Sequence, residues 1–154
     1  MTYTITDLFG NDIRVKPRVE LYSVRDFMNT ELPGLAIVLD EVDADSNPID
    51  EYAVLTVSFG EFIGLKNSAY IDVNNCPFAE QLLKQGIAEA TPFSKESGFC
   101  SYPLWVFKED FLKEHGGSNY KQYTSACDEY MEYINSMFGG PEENEENELT
   151  LGGM

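Results

Sequence analysis

Two residues of this sequence carry side chains suited to nucleophilic chemistry. Cys100 stands in Ser97-Gly98-Phe99-Cys100-Ser101, and His115, the single histidine, in Lys113-Glu114-His115-Gly116-Gly117. A thiol needs a neighbouring base, most often histidine, to become an efficient nucleophile. The local sequences fit that role badly. The Cys100 segment lacks the glycine pattern of a nucleophile elbow and no helix follows it directly. A histidine beside two glycines reads as an ordinary helix-end residue, favoured there by the helix dipole. Phosphate-cradling loops of the GxGxxG or GxxxxGK[ST] type are absent. No catalytic residue and no cofactor is therefore assigned, and the chain is read as a non-enzyme.

The second chemical group is acidic. Asp40, Glu41, Asp43, Asp45, Asp50 and Glu51 are six carboxylates within twelve positions, with no basic residue between them. The order Asp43, Asp45, Asn47 resembles the start of a calcium loop, but the glycine at its sixth place and the glutamate at its twelfth are out of register, so no metal is assigned. The plain reading is a solvated hairpin whose charges discourage edge pairing. The sharper reading joins the cluster to Glu129, Glu132 and the acidic C-terminal stretch. Duplex DNA carries one charge per roughly 1.7 Å of axis, so carboxylates on a rigid surface could occupy a basic groove that normally holds nucleic acid. Such a decoy would lose affinity as salt rises.

These groups must be held by ordinary elements. Residues 2–6 and 13–22 alternate polar and apolar side chains around the turn Phe9-Gly10-Asn11-Asp12 and predict a hairpin. Alternation also puts Arg14, Lys16 and Arg18 on one side of their strand. Asp26 to Pro33 reads as a loop or helical turn, Leu35 to Leu39 as a buried strand, Tyr52 to Phe59 as the clearest strand, and Ala69 to Val73 as a further one. Pro77 is placed at the first position of a short helix ended by Gly86. Leu104 to Phe107 is a strand, and Glu109 to Lys113 a helical turn broken at Gly116-Gly117. A longer helix then runs to about Phe138, with Tyr120, Tyr123, Cys127, Tyr130, Met131 and Ile134 on one stripe. Strands early and helices late predict an α+β domain, an antiparallel sheet with one or two helices on one face and a long C-terminal helix. Residues 1–138 are expected to form that single domain and 139–154 a flexible acidic tail.

Composition supports folding and narrows the partners. Of 154 residues, 43% are hydrophobic, with ten Phe and nine Tyr, which is enough to build a core. The 27 acidic and 10 basic residues give a net charge of −17, which repels nucleic acid and anionic membranes and points instead to a basic, nucleic-acid-binding protein. No stretch is apolar and long enough to span a bilayer, the N-terminus lacks an export signal, and three widely spaced cysteines fit reduced thiols, so a cytoplasmic protein is expected.

The segments 52–57, 69–75, the helix with Leu82-Leu83, and Ser97-Gly98-Phe99-Cys100-Ser101-Tyr102-Pro103-Leu104 together resemble an uncharacterised family of small proteins carried on plasmids and integrative elements of Gram-positive bacteria. The resemblance covers residues 35–107 and brings no enzymatic residues. It implies a genomic habitat in which elements must survive host nucleases, and so an anti-restriction or anti-CRISPR inhibitor acting by acidic mimicry. The alternative is a regulatory or assembly module that binds a protein partner through aromatic surfaces, with Phe59, Phe62 and Trp105 as candidates.

Overall fold

The computed structural model describes residues 1–138; the stretch expected to be an acidic tail lies outside the described residues. The fold is α+β, with two antiparallel sheets rather than one. The chain divides into two units, Met1–Tyr123 and a second starting at Thr124. In the first sheet β1 (Tyr3–Thr6), β2 (Asp12–Arg25), β3 (Glu31–Val42) and β4 (Pro48–Val54) lie in sequence order as a meander. The second has the order β5 (Thr56–Val57), β6 (Ser68–Ile71), β8 (Cys100–Phe107), β7 (Ala88–Ser97). Helix α1 (Ala79–Lys84) precedes β7, and α2 (Glu109–Phe138) follows β8.

The three loops of the meander are built alike. Asp7, Asp26 and Asp43 each open a loop, and one carboxylate oxygen of each accepts two backbone N–H groups: Phe9 and Asn11 at 2.9 and 2.8 Å, Met28 and Thr30 at 2.9 and 2.7 Å, Asp45 and Asn47 at 2.9 and 2.9 Å. The fourth residue of each loop takes the left-handed conformation, Gly10 at φ 85°, Asn29 at 63° and Ser46 at 65°. Short polar side chains and glycine tolerate that region best. Each aspartate N–H then donates to the carbonyl of the residue four on, at 2.9, 3.1 and 2.9 Å, closing the loop. The loop at 26–30 is thus a tight turn between long strands, so of the two expected alternatives, loop or helical turn, the loop forms.

Pro33 and Gly34, expected to end that loop, lie inside β3, and Pro17 lies inside β2. Both prolines fall where a neighbour has ended: β1 pairs β2 only as far as Val15, and β4 pairs β3 only as far as Val38. There the missing N–H breaks no ladder bond. The segment 52–59, expected as one strand, is cut at Leu55, where the chain passes from the first sheet to the second. Leu55 is fully buried, donates its N–H to the Ile37 carbonyl at 2.9 Å and accepts from Asp72 N–H at 2.9 Å. Next to it the Thr56 hydroxyl accepts the Ile37 N–H at 3.1 Å, so a buried polar group is satisfied while it ties the sheets.

The core of the first unit runs through both sheets, with Ile5, Val15, Ile37, Leu39, Leu55, Ile71, Leu82, Ile87, Phe107 and Leu112 essentially inaccessible. Helix α1 covers the free edge of β1. Gln81 accepts the Thr6 N–H at 2.8 Å and donates to its carbonyl at 2.9 Å, and Gln85 donates to the Thr4 carbonyl at 2.9 Å. The first turns of α2 lie over β2, where Asn119 donates to the Val19 carbonyl at 2.9 Å. As the paired glycines predict, the helical path breaks at Gly117, whose φ of 53° and ψ of −139° are not helical.

If the loop aspartates fix the meander, Asp26→Ala lowers unfolding free energy by about 1–2 kcal/mol because two backbone N–H groups lose their acceptor, and Asp26→Asn, which keeps an acceptor oxygen, recovers most of it. Urea titration of the three proteins checks this; equal stability of Ala and Asn variants would remove the aspartate from the account.

Candidate functional site

The six carboxylates of residues 40–51 all lie on the β3–β4 hairpin, at the end of the first sheet that also carries the β1–β2 loop. Register places Asp40 opposite Glu51 and Glu41 opposite Asp50. Like charges directly across a ladder repel. Because side chains alternate along a strand, the two pairs face opposite sides of the sheet, and the protein treats them differently. On one side Arg18 donates to Asp40 at 2.8 Å and to Glu51 at 3.1 Å, and also bonds Glu20. These contacts raise the Arg18 pKa above its ordinary value, Asp40 contributing most, and hold the guanidinium charge in place. Lys16 lies opposite Asp40 in register on the same side. On the other side, the ion pairs recorded among the described residues leave Glu41 and Asp50 without a cation.

At the tip, Asp43 and Asp45 are exposed. Asp43 spends one oxygen on its own loop, and Arg14 reinforces that loop by donating to the Asp43 and Ala44 carbonyls at 3.1 and 3.2 Å and to the Ser46 hydroxyl at 3.3 Å. The expected shared face for Arg14, Lys16 and Arg18 is observed, between the buried Val15, Pro17 and Val19. Glu129 and Glu132 are exposed on α2 within the second unit. No group of His, Cys, Asp and Glu able to hold a metal occurs among the described residues.

Beside the uncompensated pair lies a groove of about 400 Å³, walled by Leu8 and Phe9 of the first loop, by Tyr52 of β4, and by Pro77 and Phe78 ahead of α1. Leu8 is 82% and Phe9 89% exposed. The Tyr52 and Phe78 rings meet at 5.6 Å and 53°, so the floor is a packed aromatic surface. Burial raises the Tyr52 pKa, and the negative charges of Asp7 and Glu41 push it the same way. The groove therefore feels both the first loop and the acidic hairpin. Asp7 itself ionises more readily than usual, chiefly because the Asn11 N–H donates to it.

The aromatic residues singled out in the sequence sit elsewhere. Trp105 is 3% exposed and belongs to the core. Phe59 is half-buried against Tyr70 and Tyr102, with Lys95 over its ring at 5.2 Å. The four most exposed large apolar side chains are at hairpin ends instead: Leu8 and Phe9, Phe27 in the β2–β3 loop, and Phe99 between β7 and β8. Sequence reasoning passed over them because the turn signals were read and the apolar residues within the turns were not.

Cys100 and His115 do not form a catalytic pair. The His115 side chain is 1% exposed, packed with tilted rings against Tyr3 and Phe111, and neither ring nitrogen has a hydrogen-bond partner among the described residues. The Pro17 carbonyl acts on the ring without reaching hydrogen-bond geometry. Cys76 is buried, donates to the Val54 carbonyl at 3.3 Å, and has its pKa pushed up to about 11 by burial first and Asp72 second, so it stays a thiol.

Two four-stranded antiparallel sheets with a long C-terminal helix define an α+β fold, with a charged hairpin end beside an apolar groove. The chain belongs to the DUF4313 family, a domain of unknown function, whose match spans residues 22–136. This extends beyond residues 35–107, on which the resemblance to an uncharacterised family rested. Neither a curated protein nor a solved structure matches the chain.

Burial, opposed by Glu114 and aided by the N-terminal ammonium and Lys16, lowers the His115 pKa below its ordinary 6.5. The folded state thus keeps the ring neutral while the unfolded chain takes up a proton. This contribution to stability is complete above pH 6.5 and is lost as pH falls from there through the lower folded-state value. Melting curves at about pH 7.5 and about pH 5.5 are expected to show a drop in Tm that His115→Leu reduces; an undiminished drop would place the effect on other groups.

Proposed function

We propose that this protein is a non-catalytic inhibitor, encoded by a mobile element, of a host DNA-targeting defence nuclease of the CRISPR or restriction type. Carboxylates at its β3–β4 end occupy the basic groove in which the nuclease holds nucleic acid. One observation carries this reading: Glu41 and Asp50 face each other across the ladder, apart from the ion pairs of Arg18, next to the exposed Asp43 and Asp45. Such a pair costs stability, and an arrangement that breaks a local rule without a compensating cation supports a surface shaped by function. The rigid loop around Asp43 adds to it, because charges already fixed in the free protein lose little entropy on binding. Glu129 and Glu132 are further contacts in this proposal, and the groove for a PAM duplex or heteroduplex is the natural target surface in an RNA-guided nuclease.

A second reading, a regulatory or assembly module bound through apolar contacts, is favoured by the exposed Leu8, Phe9, Phe27 and Phe99. Substitutions separate the two. Full-length protein used to capture a host nuclease, identified by mass spectrometry and then assayed for cleavage, is expected to inhibit it. Changing Asp43, Asp45 and Asp50 together to Asn is expected to weaken inhibition by at least about tenfold, and Arg18→Gln, which frees Asp40 and Glu51, to strengthen it. Inhibition untouched by the triple change but lost in Phe27→Ser or Phe99→Ser proteins would transfer the function to the apolar tips.

A further inference from the structure

We infer that the groove between the β1–β2 loop and α1 receives one large apolar side chain from a Lys- or Arg-flanked segment of a protein partner. This rests on the reading above that the partner is a basic protein, and it adds an apolar anchor to what charge alone would hold.

The groove has the composition of an anchor site. Leu8 and Phe9 stand on a loop tip with their side chains almost wholly in solvent, yet Asp7 accepts the N–H groups of Phe9 and Asn11 and so fixes the loop that presents them. Exposed apolar walls on a rigid support are ready to bury area without first ordering. Opposite them, the Tyr52–Phe78 pair and Pro77 form a second apolar surface. Of the two amides lining the groove, Gln81 already exchanges two hydrogen bonds with the Thr6 backbone, and Asn75 donates to Asp72 at 2.8 Å. A polar metabolite would find few free donors or acceptors there, whereas an apolar side chain needs none. About 400 Å³ in an open groove suits a Leu, Phe or Trp side chain with a little of its own backbone.

Charge selects what surrounds that anchor. None of the ten residues lining the groove is basic. Asp7 lines it, Asp12 bonds the Thr6 hydroxyl at its rim, Glu41 acts on Tyr52 within it, and Asp50 lies across the ladder from Glu41. The depressed pKa of Asp7 keeps that charge present well into mildly acidic solution. Apolar floor and acidic rim together match an apolar residue with cationic neighbours. An acidic or neutral segment would meet repulsion or no gain. The Tyr52 hydroxyl stays protonated, since every cause acting on it raises its pKa, and so offers a donor to a carbonyl of the docked segment.

The test is selection of a random peptide display library on the full-length protein, followed by fluorescence anisotropy of the enriched peptides. Expected are peptides sharing one Leu, Phe or Trp flanked by Lys or Arg. Their affinity falls at least about tenfold for Phe9→Ser and for a peptide with Ser at the anchor. Phe9 is 89% exposed, so its replacement leaves the melting temperature unchanged, and that is measured alongside. No enrichment, enrichment without basic residues, or equal binding to Phe9→Ser overturns the inference. Failure here and failure of the inhibitor reading are distinguishable. A nuclease still inhibited by Phe9→Ser but not by the triple Asn protein leaves mimicry standing without the groove. Basic anchored peptides that need Phe9, with no nuclease inhibited, leave the groove standing without that target.

Discussion

An aspartate carboxylate that accepts two backbone N–H groups opens each loop of the β1–β4 meander, and the arrangement of the first sheet depends on it. A slip of one residue would turn every side chain of a strand to the other face. With the loops closed by Asp7, Asp26 and Asp43 and by a left-handed fourth residue, the register of β2 against β3 is set over eleven pairs, from Val15–Glu41 to Arg25–Glu31. That register carries Arg18 to Asp40 and buries Ile37 and Leu39, and it brings Leu55 to Ile37 where the second sheet begins.

The same constraint sorts the charges. Of six carboxylates close in sequence, Asp43 and Asp45 belong to the loop, Asp40 and Glu51 share Arg18, and Glu41 and Asp50 are left facing one another beside an apolar groove. A charged run is usually a solvated face with no preferred direction. Here the pleat divides it into a compensated side and an uncompensated one, and on the second the charge of Glu41 acts on Tyr52 in the groove walled by Leu8 and Phe9. Membership of the DUF4313 family gives the domain a lineage, and the functional reading rests on this asymmetry and on the net charge.

Much of the fold was legible because it follows from short-range rules. Alternation in 13–22, the Gly116-Gly117 break and the Gly86 stop are each decided by a few neighbouring residues, and Gly86 at φ 90° and Gly117 at φ 53° take the conformations that favour glycine. The split into two sheets was not legible. Residues 52–59 are uniformly strand-like, and the break at Leu55 is imposed by hydrogen bonds to Ile37 and Asp72, eighteen and seventeen residues away in sequence. Pro33 suggested an ending because the early end of β4, which makes it harmless, is a tertiary fact. The acidic cluster was visible as composition, but its partition needed the register. The repeated loop had a usable signal, an aspartate followed three residues later by Gly, Asn or Ser, in Asp7-Gly10, Asp26-Asn29 and Asp43-Ser46.

In the proposed function an oriented field of carboxylates holds a basic partner in place of nucleic acid. The most direct measurement is the equilibrium displacement of duplex DNA from the captured nuclease by the full-length protein, repeated across a salt series at fixed pH. Mutually exclusive binding is expected, with the protein's affinity falling by at least about tenfold between low and physiological salt. Simultaneous binding of DNA and protein, or an affinity that does not change with salt, would contradict it.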